Sequence, residues 1–376
     1  MENSFLSLLI VSVLLTGTIV QLVVSNIYDP SRKYAGYQKR NILHLERNAE
    51  LRVLSCVLRQ DDALAAIKLL EAYNPSKESP LSVHVLHLEE LVGRATPLII
   101  DHQLGQKSSS NSSPSGLRAQ HIIDVFNYYK HQNLGSVSVQ VFTAVSPFLF
   151  MHDDVCSLAF DKSASLVLLP FHRKWSAKGN LILDDTILRS INCQVLEKAP
   201  CSVGILVDRR KMCGSSSASN ISMRSVFRMA MLFMGGDDDR EALVLSKRMA
   251  RSPLVHLSVV RLVSKEAKLE DRWERMLDAE TLKEVQIRSP LNANITYLEH
   301  KVKEGPETAQ IARSMENKFD LIILGRRHKI DSPFTTGLTE WSEFPELGPI
   351  GDLLASSDIQ SGVSVLVVQQ QQLQCD

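Results

Sequence analysis

The chain has 376 residues, and its 42 Lys and Arg balance 42 Asp and Glu for a net charge of zero. Nucleic-acid binding requires a basic excess, so that class is excluded as a partner. The length accommodates two domains of ordinary size beyond any membrane segment.

The first predicted element is membrane-like. Residues 5–27, FLSLLIVSVLLTGTIVQLVVSNI, carry no charge, and Arg32, Lys33, Lys39 and Arg40 follow at once. As a helix at ~1.5 Å per residue the run reaches about 35 Å, enough for a hydrocarbon core of ~30 Å. A signal peptide wants a basic start, a short apolar core and a small-residue cleavage site. Here the start is MENSF, the run is longer, and no A-x-A follows. A buried amphipathic helix would carry a polar face, whereas only scattered Ser, Thr, Gln21 and Asn26 interrupt this one. The pattern predicts one transmembrane helix over 5–27, and the basic cluster places its C-terminal side in the cytoplasm. Cys56, Cys156, Cys193, Cys201, Cys213 and Cys375 are dispersed without a C-x-x-C, which indicates neither a disulfide framework nor a zinc site. Sequons at Asn111, Asn220 and Asn294 are then chance occurrences in a cytosolic tail.

A connector over 28–49 leads to a first α/β domain, 50–208. Short Val/Leu/Ile runs at 51–57, 81–88, 137–143, 166–171 and 202–207 read as buried parallel strands. Helical stripes lie between them. Residues 61–73 align Ala63, Ala66, Ile67 and Leu70, and 184–198 align Leu188, Ile191 and Val195; each opens on an Asp pair. A Ser-rich insertion at 107–117, containing SSSNSSPSG, reads as a flexible loop and a candidate for phosphorylation. A polar linker, 209–222, precedes a second α/β domain, 223–370. Its strands are expected at 227–234, 255–263, 295–301, 321–324 and 364–369, and its helices at 237–250, 271–287 and 307–318.

The halves repeat weakly. VLRQDDALAAIKLL from Val57 matches FMGGDDDREALVLS from Phe233, KSASLVLLPFHRK from Lys162 matches NKFDLIILGRRHK from Asn317, and SVGILVDR from Ser202 matches SVLVVQQQ from Ser364. The fold class is therefore α/β: one transmembrane helix, then two tandem five-stranded parallel-sheet domains.

Catalytic signatures are sparse. His84 and His87, at i and i+3 on a strand, point to opposite faces and do not share a metal. No G-x-S-x-G, P-loop or H-E-x-x-H occurs. The run Asp237, Asp238, Asp239 is favourable at a helix N-terminus without any ligand. One site-like feature is the strand LIIL entering Gly325, Arg326, Arg327 and His328, followed by a loop with Gly337, Gly348 and Gly351. Glycines after a parallel strand are where open α/β sheets bind phosphates, and the two arginines could pair with phosphate oxygens; a plain turn with a solvated basic pair is the competing reading.

Longer motifs carry a family resemblance. TGTIVQLVVSNIYDPSRKYAGYQKRNI, ELRVLSCV, SPFLFMHDDVCSLAFDKSASLVLLPFHRKW, GRRH and GLTEWSEFPELGPIGDLLASSD resemble the C-terminal portion of plant cation/proton exchangers across almost the whole chain. The resemblance implies a monovalent cation (K+)/proton antiporter of a plasma membrane or endomembrane, involved in potassium and pH homeostasis, with a regulatory cytosolic tail and no enzymatic activity. Its implied partners are the remainder of the membrane domain, the bilayer, K+ and H+, and a second copy in a homodimer. No cofactor is expected. A single helix with no Asp or Glu cannot enclose an ion path, so transport by this chain alone is not expected. Met1 standing just before that helix points to a truncated or partial gene reading, or to a duplicated remnant.

The tandem units are in turn similar to universal-stress-protein domains. Nucleotide-binding members of that family carry G-x-x-G and later G-[ST]. Here His328 replaces the second glycine, no G-[ST] pair follows, and the matching turn of the first unit, Pro170 to Arg173, has no glycine. The alternative function, a membrane-tethered nucleotide or second-messenger sensor, would use Asp237, Asp238, Gly325, Arg326, Arg327 and Gly351.

Overall fold

The computed structural model describes residues 9–17, 19–20, 40–91, 96–102, 114–176, 180–209, 226–265, 272–289, 294–329, 332–356 and 362–371. Residues 9–17 and 19–20 of the predicted span are helical; the rest of 5–27 lies outside the described residues. Among the described residues no helix is long and apolar enough to cross a membrane, so the single-span expectation has no support from the fold. The bulk of the Ser-rich insertion and the predicted linker, apart from Arg209, also lie outside them.

The first unit runs β1 (Leu51–Val57), α1 (Gln60–Tyr73), β2 (Leu81–Glu90), β3 (Leu98–His102), α2 (Pro114–Gln132), β4 (Val137–Ser146), α3 (Met151–Asp161), β5 (Leu166–Pro170), β6 (Arg173–Trp175), β7 (Leu181–Asp184), α4 (Thr186–Lys198) and β8 (Ser202–Val207). The second runs β9 (Phe227–Phe233), α5 (Asp237–Met249), β10 (Val255–Ser264), α6 (Arg272–Arg288), β11 (Ile295–Val302), α7 (Gly305–Met315), β12 (Leu321–Gly325), α8 (Gly348–Ala355) and β13 (Ser364–Gln369). All ten expected strands form, and α1, α4, α5, α6 and α7 lie within a few residues of their expected positions. Asp185 caps α4 by accepting from the backbone N–H groups of Ile187 and Leu188, both at 3.1 Å.

The sheet differs from the expectation of two separate domains. Its order is β11-β10-β9-β12-β13-β8-β5-β1-β2-β4-β3, eleven strands in one continuous surface. Each unit keeps five parallel strands, and the units join where β13 runs antiparallel to β8, with Val365 opposite Val207 and Gln369 opposite Val203. Both joining strands are buried at every position, SVGILV in β8 and SVLVVQ in β13. An uncovered edge of that composition would invite pairing with another strand, and each unit satisfies the other's. β3 adds an antiparallel edge strand beside β4, and β6 and β7 form a separate hairpin; neither was expected.

Helices cover both faces, as parallel strands require. α1, α2, α5 and α6 bury Ile67, Phe126, Leu243 and Leu282 on one face. On the other, α3, α4, α7 and α8 bury Val155, Ile191, Ala312 and Leu354. Alternation in β12 sends Leu321 and Ile323 to the first core and Ile322 and Leu324 to the second. Each core cluster runs through both units, which makes the seam a packed interior.

Candidate functional site

The turn after β12 is held against the start of α5. Gly325 sits so close that a Cβ there would meet Asp239 Oδ1 at 2.5 Å and the Asp239 backbone nitrogen at 2.6 Å. The Gly325 N–H donates to Asp239 Oδ1 at 2.8 Å, while Asp239 Oδ2 accepts from Met234 and Gly235 at 2.7 and 2.9 Å. Gly236, at φ +103°, takes the N-cap position of α5, so the acidic run opens the helix as expected while its carboxylates reach beyond it.

Asp62 of the first unit does the equivalent work. Its Oδ2 accepts from Leu58 and Arg59 at 3.2 and 2.9 Å, and Lys174 approaches its Oδ1 at 2.7 Å. The internal repeat is therefore real in structure but shifted by one residue from the sequence match. Asp62 corresponds to Asp239, and the Gly235–Gly236 pair, both at positive φ, absorbs the extra residue.

Asp238, Gly325, Arg326 and Arg327 are brought together. The Asp238 carboxylate, 1% exposed, receives the Arg327 guanidinium on two atoms at 2.6 and 2.9 Å, plus the backbone N–H groups of Arg327 and Gln370, each at 2.9 Å. Arg326 donates to Gln369 Oε1 at 2.7 Å and to the carbonyls of Pro345 and Glu346 at 2.9 and 3.0 Å. Arg326 thus ties the turn to the end of β13 and to the loop before α8, and Arg327, which also donates to the Gln370 carbonyl at 3.0 Å, ties it to α5 and the residue after β13. Asp237 turns outward and pairs with Arg240, and Gly351 lies in α8 with Val367 packed against it. His328, in the second-glycine position, places Nε2 3.5 Å from Asp239 Oδ2.

A second cluster, not anticipated, lies at the seam. The PFHRKW segment of the first unit meets the SEFPELG segment of the second. Phe171 and Phe344 pack edge-to-face with centroids 5.3 Å apart, and the Arg173 guanidinium lies 4.5 Å from the Phe344 ring. Beneath them His172 Nδ1 stands 3.1 Å from Glu346 Oε1, with Arg189 at 3.5 Å. Burial pushes the Glu346 carboxyl up, but His172, its own backbone N–H and Arg189 outweigh that and hold it below the usual range. Arg209 lies 4.2 Å from the Trp175 ring and donates to the Ala355 and Ser356 carbonyls; burial brings its pKa down to about 10. The signal available in sequence was the concentration of aromatic and charged residues in both motifs.

The connector forms the third feature. Glu241, wholly buried in α5, accepts from the N–H groups of Ile42 and Leu43 at 2.5 and 3.0 Å and from Ser202 Oγ at 2.6 Å. One side chain thereby links the second unit, the connector and the first strand of the seam. Burial raises its pKa, with the donated hydrogen bonds opposing. Arg248 holds the Glu46 and Ala49 carbonyls at 2.6 and 3.1 Å, and Arg40 bonds Gln371 through its backbone and the Phe160 carbonyl through its side chain.

Two family descriptions match this chain. Residues 83–211 match "Plant cation/H(+) antiporter domain" and residues 226–369 match "Plant cation/H(+) antiporter, C-terminal domain". The chain belongs to the plant cation/H(+) antiporter family. Cation/H(+) antiporter 3 of Arabidopsis thaliana is 44% identical over 373 residues, which are 96% of this chain and 44% of that protein. Cation/H(+) antiporter 11 of the same plant is 40% identical over 380 residues, covering 100% of this chain and 48% of the relative. The chain thus spans about half the length of these curated antiporters, which are named as transporters rather than enzymes. The two matched stretches of the antiporter tail divide between β8 and β9. Among solved structures, a universal stress protein from Archaeoglobus fulgidus is similar at a TM-score of 0.43 and 15% identity, covering 85% of this chain and 96% of that one.

Proposed function

We propose that this chain comprises the last membrane helix and the cytosolic regulatory tail of a monovalent cation/proton antiporter that exchanges K+ for H+ in potassium and pH homeostasis. The host is a plasma membrane or endomembrane, and the remainder of the membrane domain, the bilayer and the two ions are its partners. The tail biases the transport cycle through the 28–49 connector. The observation that carries this reading is the grip of Glu241 on Ile42 and Leu43 beside Ser202. A displacement between the units at the seam would move the backbone that leads to the membrane.

A nucleotide-sensing reading has less support. Arg326 and Arg327 would have to exchange Gln369 and Asp238 for phosphate, breaking the bonds that hold the turn.

The test joins residues 1–376 to the membrane domain of Cation/H(+) antiporter 3 in place of its own counterpart. K+-driven proton exchange is measured in vesicles, with and without a Gly/Ser insert between Ala35 and Gly36. Exchange should depend on the tail, and the insert should abolish that dependence. Unchanged regulation with the insert would refute coupling through the connector, and exchange that does not depend on residues 1–376 would refute the regulatory role.

A further inference from the structure

At the C-terminal ends of α1 and α5 a cleft of about 550 Å³ opens between the two units and the connector. That size falls within the ~300–1,000 Å³ of small-molecule sites. Three arginines line it: Arg47 from the connector, Arg248 from the last turn of α5, and Arg251 just beyond. Glu78 is the one carboxylate of the lining. α1 and α5 both end here, at Tyr73 and Met249, and a helix C-terminus contributes about half a negative charge. Three cations therefore outnumber Glu78 and the two helix ends together.

None of the three has a carboxylate of its own. Arg248 is 4% exposed and its guanidinium faces the neutral carbonyls of Glu46 and Ala49. Arg47 lies 3.7 Å from Glu284, which also serves Lys247 at 2.8 Å and Arg288 at 3.0 Å. The Arg251 guanidinium has neither a hydrogen bond nor an ion pair among the described residues. Partial desolvation of its otherwise exposed side chain, then the like charge of Arg248 and, less, of Arg47, hold its pKa down. Such crowding of cations is unfavourable without an anion between them. Polar groups complete the lining, and the Asn74 amide donates to Ser252 Oγ at 2.9 Å, joining the two units across the cleft.

We propose that this cleft binds a phosphate-bearing anion, with Arg47 and Arg251 as direct ligands and Arg248 supplying buried positive charge. Occupancy clamps the connector onto both units. The phosphate belongs either to a small soluble ester or to a lipid headgroup, since both present the same oxygens to a guanidinium fork. The site stands independently of the transport reading, because binding is read on this chain alone.

The experiment is calorimetric titration of the whole chain in detergent, first with pyrophosphate and then with micelles doped with phosphatidylinositol phosphate. Saturable binding is expected, at least tenfold weaker in the Arg47→Ala/Arg251→Ala variant, intermediate in Arg47→Lys/Arg251→Lys, which keeps the charge and loses the fork, and unaffected by Arg313→Ala on the exposed surface of α7. Arginine-dependent binding that is tighter for pyrophosphate than for doped micelles identifies a small soluble phosphate compound; tighter arginine-dependent binding of doped micelles identifies a headgroup. Binding of neither probe, or equal binding by the double alanine variant, overturns the proposal. Both substituted arginines are exposed, and matching thermal melts establish that the variants fold.

Discussion

His172 of the first unit and Glu346 of the second meet at 3.1 Å with both side chains fully enclosed. Removing one member leaves the other polar group buried without its partner, which costs ~1–3 kcal/mol for an unsatisfied buried group. Glu346→Ala and His172→Ala should each lower the urea unfolding free energy by about that range. Replacing both, as His172→Leu/Glu346→Met, should recover most of it, because two apolar groups leave nothing unsatisfied. If the double variant is as unstable as the sum of the singles, the pair is not the unit that matters.

Two of the buried carboxylates, Glu346 and Glu241, respond to pH with opposite signs. Glu346 is held below its usual range, so its contribution is present above the unfolded value of ~4.3 and is lost as pH falls through the lower native value. Glu241 is raised by burial, so the native state takes up its proton first. Its contribution is present below the unfolded value and is lost as pH rises through the native one. Urea midpoints measured across pH should show Glu346→Gln narrowing the loss of stability toward acid. Glu241→Gln should instead flatten the decline toward neutral pH. Identical pH profiles for wild type and both variants would contradict these assignments.

Release of the connector should be visible without any transport assay. Glu241→Ala removes the acceptor for Ile42, Leu43 and Ser202, and an unsatisfied buried donor costs ~1–3 kcal/mol. Trypsin cleavage after Arg47, whose side chain is 64% exposed, should accelerate at least about tenfold, the factor that ~1.4 kcal/mol produces. Cleavage elsewhere in the units should keep its wild-type rate. Uniform acceleration at all sites would mean global unfolding rather than local release.

Strands and helices were legible because burial on both faces produces uninterrupted apolar runs, and β8 and β13 are buried throughout. The same property hid their pairing. Apolar runs do not encode which neighbour covers an edge, so the five parallel strands of each unit are legible while their joining through β8 and β13 into one sheet is not. β3 was missed because its Leu98, Ile99 and Ile100 are exposed and lack the alternation of a half-buried strand. At the candidate turn the sequence located the residues that converge but not their partners. The sequence leaves phosphate oxygens and a plain solvated turn as alternatives for Arg326 and Arg327, whereas Asp238, Gln369 and the carbonyls of Pro345, Glu346 and Gln370 receive them. Those acceptors come from segments distant in the chain, and periodicity carries no information about them. The one-residue shift between Asp62 and Asp239 arose likewise from backbone conformation, since only positive φ at Gly235 and Gly236 makes room for the extra residue.

Gly325 offers the sharpest test of how tightly that turn is closed. A methyl group there would lie 2.5 Å from Asp239 Oδ1, 2.6 Å from the Asp239 nitrogen and 2.8 Å from the Asp238 carbonyl carbon. Two of these three atoms are backbone, so a rotamer change cannot relieve the contact. β12 must instead move away from α5, lengthening the Gly325 N–H bond to Asp239 and misaligning the Arg327–Asp238 fork. Overpacking of this kind costs ~1–3 kcal/mol, with loss of a buried hydrogen bond adding to it. Gly325→Ala should therefore lower the unfolding free energy by at least about 2 kcal/mol. Amide exchange at Gly325 and Arg327 should rise more than in the core of β9. A neutral Gly325→Ala would mean that the turn has slack, and slack is what a phosphate would need to enter between Asp238 and Arg327.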